Sequence, residues 1–305
     1  MSSAPSASSF GKGEVSAVSG AAVRVGVYGA LGRMGQMVVR ELLDPVDPMD
    51  ISAALVAALV PTNNAQLGRD IGPLVGLGAV GVSASCDIAS AMRICQVIID
   101  FSTPAATAIL APAAAAAGVA LVIGTTGLHQ AALSAIASAS ERIPVVHSAN
   151  MSPGINVLIG LLRRAAAVLP EYDAEIVEIH HRHKRDAPSG TALLLADAID
   201  SSRGQVGVAP SAIRTGREGM LGARPPGEIG VFSVRGGDVA GDHTVMLLGN
   251  GERLELSHRA SSREVFAQGA LRAARWVAGA CRRWAGSSRG ISRCAAWTPR
   301  ARMRR

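Results

Sequence analysis

The sequence predicts an α/β protein whose first domain holds a parallel sheet and whose second domain is α+β with a mixed sheet. Between residues 23 and 147, five short apolar runs alternate with alanine-rich helical stretches, which is typical of right-handed βαβ units. Past residue 150, strands follow one another across Gly-Asp and Gly-Asn turns, which favour antiparallel pairing of consecutive strands. The chain has 305 residues, 49% of them hydrophobic, and is long enough for two domains.

The apolar runs predict the individual elements. Strands of the first domain are expected over 23–28, 51–60, 96–101, 119–124 and 143–147. The second domain is expected to hold a helix over 156–169, a strand over 175–180, a helix from 191, and strands over 230–235, 243–248 and 253–258. A helical pattern returns over 262–280, where Phe266, Ala270, Ala273 and Val277 share one face. We therefore expect the chain to pack back on the first domain there.

Composition narrows the class of protein. The apolar stretch 109–123 is too short to cross a bilayer comfortably, so no membrane span is predicted. Residues 1–22 lack the charged start and apolar centre of a secretion signal and are expected to form a flexible extension. Cys86, Cys95, Cys281 and Cys294 show no CxxC pair and no histidine at metal-ligand spacing. This usage favours reduced thiols in the cytoplasm over disulfides or zinc.

The net charge of +7 belongs to one end of the chain. Residues 271–305 contain ten arginines and no Asp, Glu or Lys, so residues 1–270 carry a net charge of −3. Trp284 and Trp297 lie among these arginines and have the chemistry to stack on bases. Nucleic-acid binding by this end of the chain is kept as a minor alternative.

A glycine-rich turn follows the first strand and leads directly into a helix. Such glycines let the backbone approach a pyrophosphate, whose charge is favoured by the free amides at the helix N-terminus. The spacing is GxxGxxG, and a tight turn without a ligand is the alternative. Val60 and Pro61 end the second strand, where a charged residue often reads the ribose, so the choice of cofactor stays open. The expected dinucleotide contacts are Gly29, Ala30, Leu31, Gly32, Arg33 and Met34.

The densest chemistry lies between residues 178 and 192. Three of the seven histidines stand at 180, 181 and 183, and Lys184 is one of only two lysines, so a compact, proton-donating ammonium fits this position. Ser189 is placed to cap a helix that starts near Gly190, and the free amides with the Thr191 hydroxyl would face an anion such as a carboxylate. A solvated basic loop is the alternative. No metal site is predicted, because no carboxylate or cysteine completes histidine ligation at familiar spacing.

Two more turns are expected to belong to the site because each closes a buried strand. They are 124–127, with the sequence Gly-Thr-Thr-Gly, and 148–152, with the sequence Ser-Ala-Asn-Met-Ser. Ligands of open α/β sheets bind outside the carboxyl ends of the strands, where both turns should lie. Ordinary turn chemistry is the alternative.

The segment Glu178–Ala192 resembles the E-x-H-H-x-x-K-x-D-A-P-S-G-T-A signature of the dihydrodipicolinate reductase (4-hydroxy-tetrahydrodipicolinate reductase) family. The resemblance runs from about residue 23 to residue 277, with supporting pieces at 29–35, 100–102, 124–127, 217–219, 222–230, 235–243 and 258–263. It implies a Rossmann-like dinucleotide-binding domain over 23–151, with a return of the chain at 262–281. It also implies a substrate-binding and oligomerisation domain over 152–261, and a homotetramer.

The resemblance further implies an activity and residue roles. The activity is the NADH- or NADPH-dependent reduction of a small dicarboxylate, 4-hydroxy-tetrahydrodipicolinate, in lysine and diaminopimelate biosynthesis. His180 would be a proton donor or acceptor and Lys184 a proton donor, while His181, Gly190 and Thr191 would hold the substrate carboxylates. The implied cofactor contacts are residues 29–34 together with Gly124, Thr125, Thr126, Ser148, Ala149, Asn150 and Met151.

The sequence departs from the family pattern in two places. Val60 and Pro61 stand where members often carry charged ribose-recognition residues, and a basic tail, 282–305, replaces the usual segment that rejoins the nucleotide domain. Two other classes stay open: a related NAD(P)-dependent amino-acid or aldose dehydrogenase, and a non-catalytic nucleotide-binding protein whose tail contacts a partner. The signature at 178–192 counts against both, because neither class needs it.

Overall fold

The computed structural model describes residues 22–46 and 52–285, with side chains as far as residue 279. The expected extension 1–22 and the basic tail 282–305 therefore lie outside the described residues, except for residue 22 and the backbone of 282–285. None of the described helices is both long and apolar enough to span a membrane.

The described chain forms two sheets and eight helices. The strands are β1 (Val23–Tyr28), β2 (Ala53–Leu59), β3 (Ala84–Ser85), β4 (Val97–Asp100), β5 (Ala120–Ile123), β6 (Val145–His147), β7 (Asp173–His180), β8 (Ile213–Arg214), β9 (Ile229–Arg235), β10 (Gly241–Leu248) and β11 (Arg253–Ala260). The helices are α1 (Arg33–Leu43), α2 (Ile71–Leu74), α3 (Ile88–Ile94), α4 (Pro104–Ala117), α5 (Gln130–Ser140), α6 (Pro153–Val168), α7 (Gly190–Gln205) and α8 (Glu264–Ala285).

The first sheet is parallel throughout, in the order β3-β2-β1-β4-β5-β6. The five predicted runs form five of these strands, so the predicted parallel sheet is confirmed. The prediction missed β3, because two residues are too few to show a hydrophobic pattern. The strand order reverses between β1 and β4, and the turns that follow these strands meet at the edge where open α/β sheets bind ligands.

Helices cover both faces of the first sheet. On one face, α3, α4 and α5 pack against strand residues such as Ile98 in one buried cluster. On the other face, α1 packs beside α8, the last described helix of the chain. Ala270 and Val277 of α8 are fully buried in this second cluster, and Phe266 and Ala273 pack against it. The four residues that share a face in the sequence pattern thus contact the first sheet.

The second sheet is mixed, in the order β11-β10-β7-β9-β8. Strand β10 is antiparallel to β11 and to β7, whereas β9 is parallel to β7 and to β8. The predicted α+β domain is confirmed, but the expected pairing of 230–235 with 243–248 is wrong. Strand β7 lies between them because the connecting loop passes its end, where the amides of His181 and Arg182 donate to the carbonyls of Val239 and Gly237.

Helices α6 and α7 pack on one face of the second sheet, where Leu162 and Leu195 meet Ile176 and Val245 in a third buried cluster. Helix α6 begins three residues earlier than predicted, because a proline occupies its first position and the Ser152 hydroxyl accepts a hydrogen bond from its first turn. Helix α6 thus begins directly after the turn that follows β6.

Candidate active site

The turn between β1 and α1 is shaped for a phosphate group. Gly29 has φ = +78°, and a Cβ there would lie 2.5 Å from the Phe101 carbonyl oxygen, so only glycine fits. Gly32 is the N-cap of α1, and no side chain caps this helix, which leaves its first-turn amides for an anion. These residues fit the pyrophosphate of a dinucleotide. The other predicted contacts of the turn are Ala30, which is buried, and Leu31, Arg33 and Met34, which are at least partly exposed.

Gly35 is the point where α1 packs against this turn. A Cβ at residue 35 would lie 2.0 Å from the Gly29 carbonyl oxygen, so the turn itself would have to move. We expect Gly35→Ala to lower the free energy of unfolding by about 1–3 kcal/mol and to weaken dinucleotide binding, measured by thermal unfolding and by titration of NADH fluorescence. Gly160→Ala in α6 is the matched control, since a Cβ there meets no atom within 4 Å. Dinucleotide binding of wild-type strength in Gly35→Ala would contradict this prediction.

The turn after β4 joins the turn after β1 to the turn after β5. The Phe101 ring fills the space beside Gly124, where a Cβ would lie 2.1 Å from the ring. The Ser102 amide donates to Thr125 Oγ1 at 3.0 Å. Two predicted cofactor contacts, Gly124 and Thr125, thus lie buried next to the glycine turn, whereas Thr126 is exposed.

Asp100 is a fully buried carboxylate that orders the turn after β4. Its Oδ1 accepts hydrogen bonds from the Ser102 amide at 2.9 Å and hydroxyl at 2.5 Å, and its Oδ2 accepts one from Thr107 Oγ1 at 2.5 Å. Burial raises the pKa of Asp100, while these hydrogen bonds act in the opposite direction. Asp100 therefore holds the turn that carries the Phe101 ring.

The turn after β6 reaches the second domain. Ser148 and Asn150 are buried, whereas Ala149 is exposed. The Asn150 side-chain amide donates to Thr191 Oγ1 at 2.9 Å. Met151 packs in the buried cluster that includes α8. One hydrogen bond thus joins a predicted cofactor contact to a predicted substrate contact.

Strand β7 carries the predicted proton-transfer residue. Glu178 and His180 are two residues apart on a strand and share a face. The strand register places Ser233 and His243 on either side of Glu178, and Arg235 beside His180. His180 Nδ1 lies 2.5 Å from Glu178 Oε2 in a buried contact. Burial lowers the pKa of His180, an effect that Glu178 partly offsets.

The N-terminus of α7 rests on a buried histidine. Ser189 is the N-cap, and its hydroxyl accepts a hydrogen bond from the Ala192 amide at 3.1 Å. The same hydroxyl lies 3.2 Å from His243 Nε2, and the His243 ring packs edge-on against His180 with 5.2 Å between ring centroids. Burial lowers the pKa of His243 to about 4, so this residue is neutral at pH 7. Gly190, the first residue of the helix, is exposed, which leaves its amide accessible to a ligand.

The loop after β7 presents His181 and Lys184. Arg263 donates to His181 Nε2 at 2.7 Å, which places the His181 proton on Nδ1. Lys184 Nζ lies 2.9 Å from Asp186 Oδ2, and this contact lowers the pKa of Asp186. The Lys184 side chain is still 20% exposed. Among the side chains described, those of residues 22–46 and 52–279, no group of three or more His, Cys, Asp or Glu is placed to hold a metal ion.

The structure adds site residues to which the sequence assigned no role. Arg235 contacts Glu178 across 57 positions, His243 contacts Ser189 across 54, and Arg263 contacts His181 across 82. Only the tertiary fold brings residues so far apart in the chain together. The sequence held one signal that could have identified these residues: all three lie in the segments 235–243 and 258–263, which support the family resemblance.

Val60 and Pro61 follow the end of β2. Val60 is buried, with its amide bonded to the Ser85 carbonyl, and Pro61 is exposed. Next to the glycine turn lies a cavity of about 410 Å³, and no charged side chain lines it within the described residues. Its lining residues are Leu31, Gln36, Asn64, Ala65, Gln66 and Leu74.

A glycine turn that fits a dinucleotide on a parallel sheet, together with a buried Glu–His pair and a helix N-terminus on a mixed sheet, is what a nicotinamide-dependent oxidoreductase requires. A family model described as dihydrodipicolinate reductase, N-terminus, matches residues 23–151, and one described as dihydrodipicolinate reductase, C-terminus, matches residues 154–287. The chain belongs to the dihydrodipicolinate reductase family.

Individual relatives agree with the family assignment. The chain is 48% identical to the 4-hydroxy-tetrahydrodipicolinate reductase of Anaeromyxobacter dehalogenans, over 84% of this chain and 93% of that protein. It is 49% identical to the same-named reductase of Thiobacillus denitrificans, over 84% and 94%. The structure of dipicolinate-bound dihydrodipicolinate reductase from Paenisporosarcina sp. TG-14 matches with a TM-score of 0.68 and 26% identity, over 85% of this chain and 95% of that one.

Proposed function

We propose that this chain catalyses the reduction of 4-hydroxy-tetrahydrodipicolinate to tetrahydrodipicolinate in lysine and diaminopimelate biosynthesis. The observation that most directly supports this proposal is the hydrogen bond between Asn150 and Thr191. It joins the turn after β6, a predicted dinucleotide contact, to the start of α7. The buried pair of Glu178 and His180 ends at the same place, because Glu178 also accepts a hydrogen bond from the Ser189 amide. The residues that would hold the hydride donor and the substrate carboxylates thus lie beside the group that would transfer the proton.

The dinucleotide would be held by the three turns that end β1, β5 and β6. In this arrangement, first-turn amides of α1 would bind the pyrophosphate, and residues 124–126 and 148–151 would supply the other contacts to the dinucleotide. A bound reduced nicotinamide supplies the hydride. Because Phe101 packs between Gly29 and Gly124, two of these turns keep a fixed spacing.

The substrate carboxylates would be held where α7 begins. The amides of Gly190 and Thr191 and the Thr191 hydroxyl point outward from a helix N-terminus, which favours negative charge. His181 donates from Nδ1, and the charge on Lys184 offsets that of the dicarboxylate. His180 or Lys184 gives the proton that accompanies hydride transfer.

The assay that tests this function follows the loss of reduced-nicotinamide absorbance, with the substrate generated in situ by the preceding synthase. We expect oxidation of NADH, NADPH or both, dependent on the synthase and inhibited by dipicolinate, a dicarboxylate bound by a solved relative. A reaction without synthase is the control. Absence of oxidation with either cofactor would contradict the proposed function.

For the cofactor, we propose that both NADH and NADPH are used. Support comes from the uncharged end of β2, at Val60 and Pro61, and from the cavity beside the glycine turn, which offers neutral amides of Asn64 and Gln66. None of the six residues that line this cavity carries a charge, and a cation that contacts this lining, Arg69, donates its hydrogen bond to Gln66 Oε1 at 2.6 Å. We expect kcat/KM values within about tenfold, since a charged hydrogen bond is worth about 1.5–3 kcal/mol.

For the assembly, we propose a homotetramer built on the second sheet. Helices α6 and α7 cover one face, while Val177, Ile179, Val234 and Met246 belong to none of the three buried clusters of the described residues. Val234 is 46% exposed. We expect Val234→Asp to lower the sedimentation mass without changing the circular dichroism, whereas Val168→Asp in α6 leaves the mass unchanged. A wild-type mass of 31.1 kDa would contradict a tetramer.

For the location, we propose the cytoplasm. Cys86 and Cys95, the two cysteines whose side chains are described, are free thiols. Reduced thiols are the usual state there.

A further inference from the structure

Glu178 is a buried carboxylate that faces donors rather than substrate. Its Oε2 lies 2.5 Å from His180 Nδ1 and accepts from Arg235 Nη1 at 2.7 Å. Its Oε1 accepts from Ser233 Oγ at 2.7 Å, Arg235 Nη2 at 2.8 Å and the Ser189 amide at 3.0 Å. Burial alone would raise the pKa of Glu178, but these hydrogen bonds outweigh it and lower the pKa to about 2. The group is therefore ionised and only accepts hydrogen bonds.

An ionised acceptor determines which nitrogen of His180 carries the proton. Because Glu178 Oε2 cannot donate, His180 Nδ1 must donate, and Nε2 is left for proton exchange. His180 Nε2 lies beside Gly241, where a Cβ would be only 3.0 Å away. A side chain at residue 241 would press on this nitrogen, whereas glycine leaves it open.

The two oxygens of Glu178 serve different parts of the site. Oε2 holds the proton-transfer residue, while Oε1 holds the Ser189 amide at the start of the helix that would bind a carboxylate. We propose that Glu178 is a positioning residue that sets the tautomer of His180 and fixes its distance from the carboxylate site, with Arg235 clamping both oxygens. This inference rests on the proposed function.

Glu178→Gln separates the two contacts. Three donors meet Oε1 and two meet Oε2, so the glutamine oxygen takes the Oε1 position. Its NH2 then faces His180 Nδ1 and Arg235 Nη1, and Arg235 Nη1 keeps only its bond to the Val234 carbonyl. The His180 proton must then move to Nε2, which removes the acceptor needed for exchange. We expect kcat to fall by about 100-fold or more, as wrong-tautomer variants of other enzymes do, while KM changes little because the Ser189 amide keeps its partner.

Two further readouts distinguish positioning from a structural role. The groups that face His180 are Glu178 on its own strand, Arg235 on β9, His243 on β10 and Lys184 in the loop. Of these, only Glu178 favours the protonated ring, so the His180 limb of the kcat/KM pH profile should move to lower pH in Glu178→Gln. In ¹⁵N-histidine NMR spectra, His180 should change from the Nδ1–H to the Nε2–H tautomer, with His180→Asn giving the assignment.

Glu175→Gln is the matched control, since Glu175 lies on the same strand and is clamped by Arg217 and Arg224 instead. It should leave the tautomer and the pH profile unchanged. A kcat within threefold of wild type, or an unchanged tautomer, in Glu178→Gln would overturn the inference.

If Glu178→Gln does not fold, Arg235→Lys is the deciding variant, because it loosens the contact with Glu178 but keeps the positive charge. An unchanged kcat in Arg235→Lys would overturn the inference, and a reduced kcat at constant KM would support it. If the wild type oxidises neither cofactor, the proposed function fails, yet the tautomer experiment still reports on Glu178.

Discussion

Replacing Lys184 with alanine is expected to lower kcat by about 10²–10⁴-fold, the usual contribution of a positioned proton donor. Lys184 is the only lysine outside the first 21 residues, and its ammonium is oriented by Asp186 at 2.9 Å while still partly exposed. Initial-rate measurements with saturating cofactor check this. His180→Asn should lower kcat by a similar factor, because Lys184 alone does not complete proton transfer.

Two further variants of the same loop test whether Lys184 acts as a proton donor or only as a positive charge. Lys184→Arg keeps the positive charge but holds its proton too tightly to give it up, so kcat should fall while KM is largely retained. Arg182→Ala, two residues away and exposed, should stay within threefold of wild type. If Lys184→Ala were to keep wild-type turnover, Lys184 would be a surface cation and His180 would carry the proton alone.

Acidification between pH 6.5 and pH 4 is expected to destabilise the folded protein. Burial lowers the pKa of His243 from 6.5 to about 4, so in this window the unfolded chain binds a proton that the folded chain does not. The contribution of His243 to stability is thus complete above pH 6.5 and is lost as the pH falls. It amounts to about 3 kcal/mol over the window and about 2 kcal/mol by pH 5, as an order of magnitude.

Urea unfolding at pH 7.5 and pH 5 measures this loss. His147, His180 and His258 also have lowered pKa values and add in the same direction, whereas Glu178, with its pKa near 2, adds little above pH 5. Burial raises the pKa values of Asp100 and Asp197, and these two groups act in the opposite direction. His243→Gln should reduce the difference between the two pH values, because glutamine does not titrate. Equal stability of the wild type at both pH values would refute the assignment.

The sequence was informative where chemistry is local. The signature at 178–192 places two histidines, a lysine and a capped helix start within fifteen consecutive positions, and the structure puts them at the end of β7, the next loop and the start of α7. The glycine turn is equally local, because a strand, a turn and a helix must follow one another directly. Such segments can be interpreted without knowledge of the sheet order.

Pairing across the sheet was not predictable in the same way. Glu178 stands in the signature, yet two of its hydrogen-bond partners, Ser233 and Arg235, reach it only through the register of β9. A turn rich in Gly and Asp favours a hairpin locally, but here the connecting loop gains hydrogen bonds at the end of β7, and β7 takes the middle position. Tertiary contacts outweighed local turn preference.

The return of α8 has a consequence for the order in which the protein is made. Ala267, Ala270, Leu271, Ala274 and Val277 complete the buried cluster on one face of the first sheet. Helix α8 is synthesised after every other described element, so the sheet made first keeps an apolar face in water until residues 264–278 have left the ribosome. The second sheet, whose strands and covering helices are continuous in the chain, is complete earlier. The domain that is translated first is therefore the one that finishes folding last, and a premature stop before residue 264 would expose the face that a chaperone must protect.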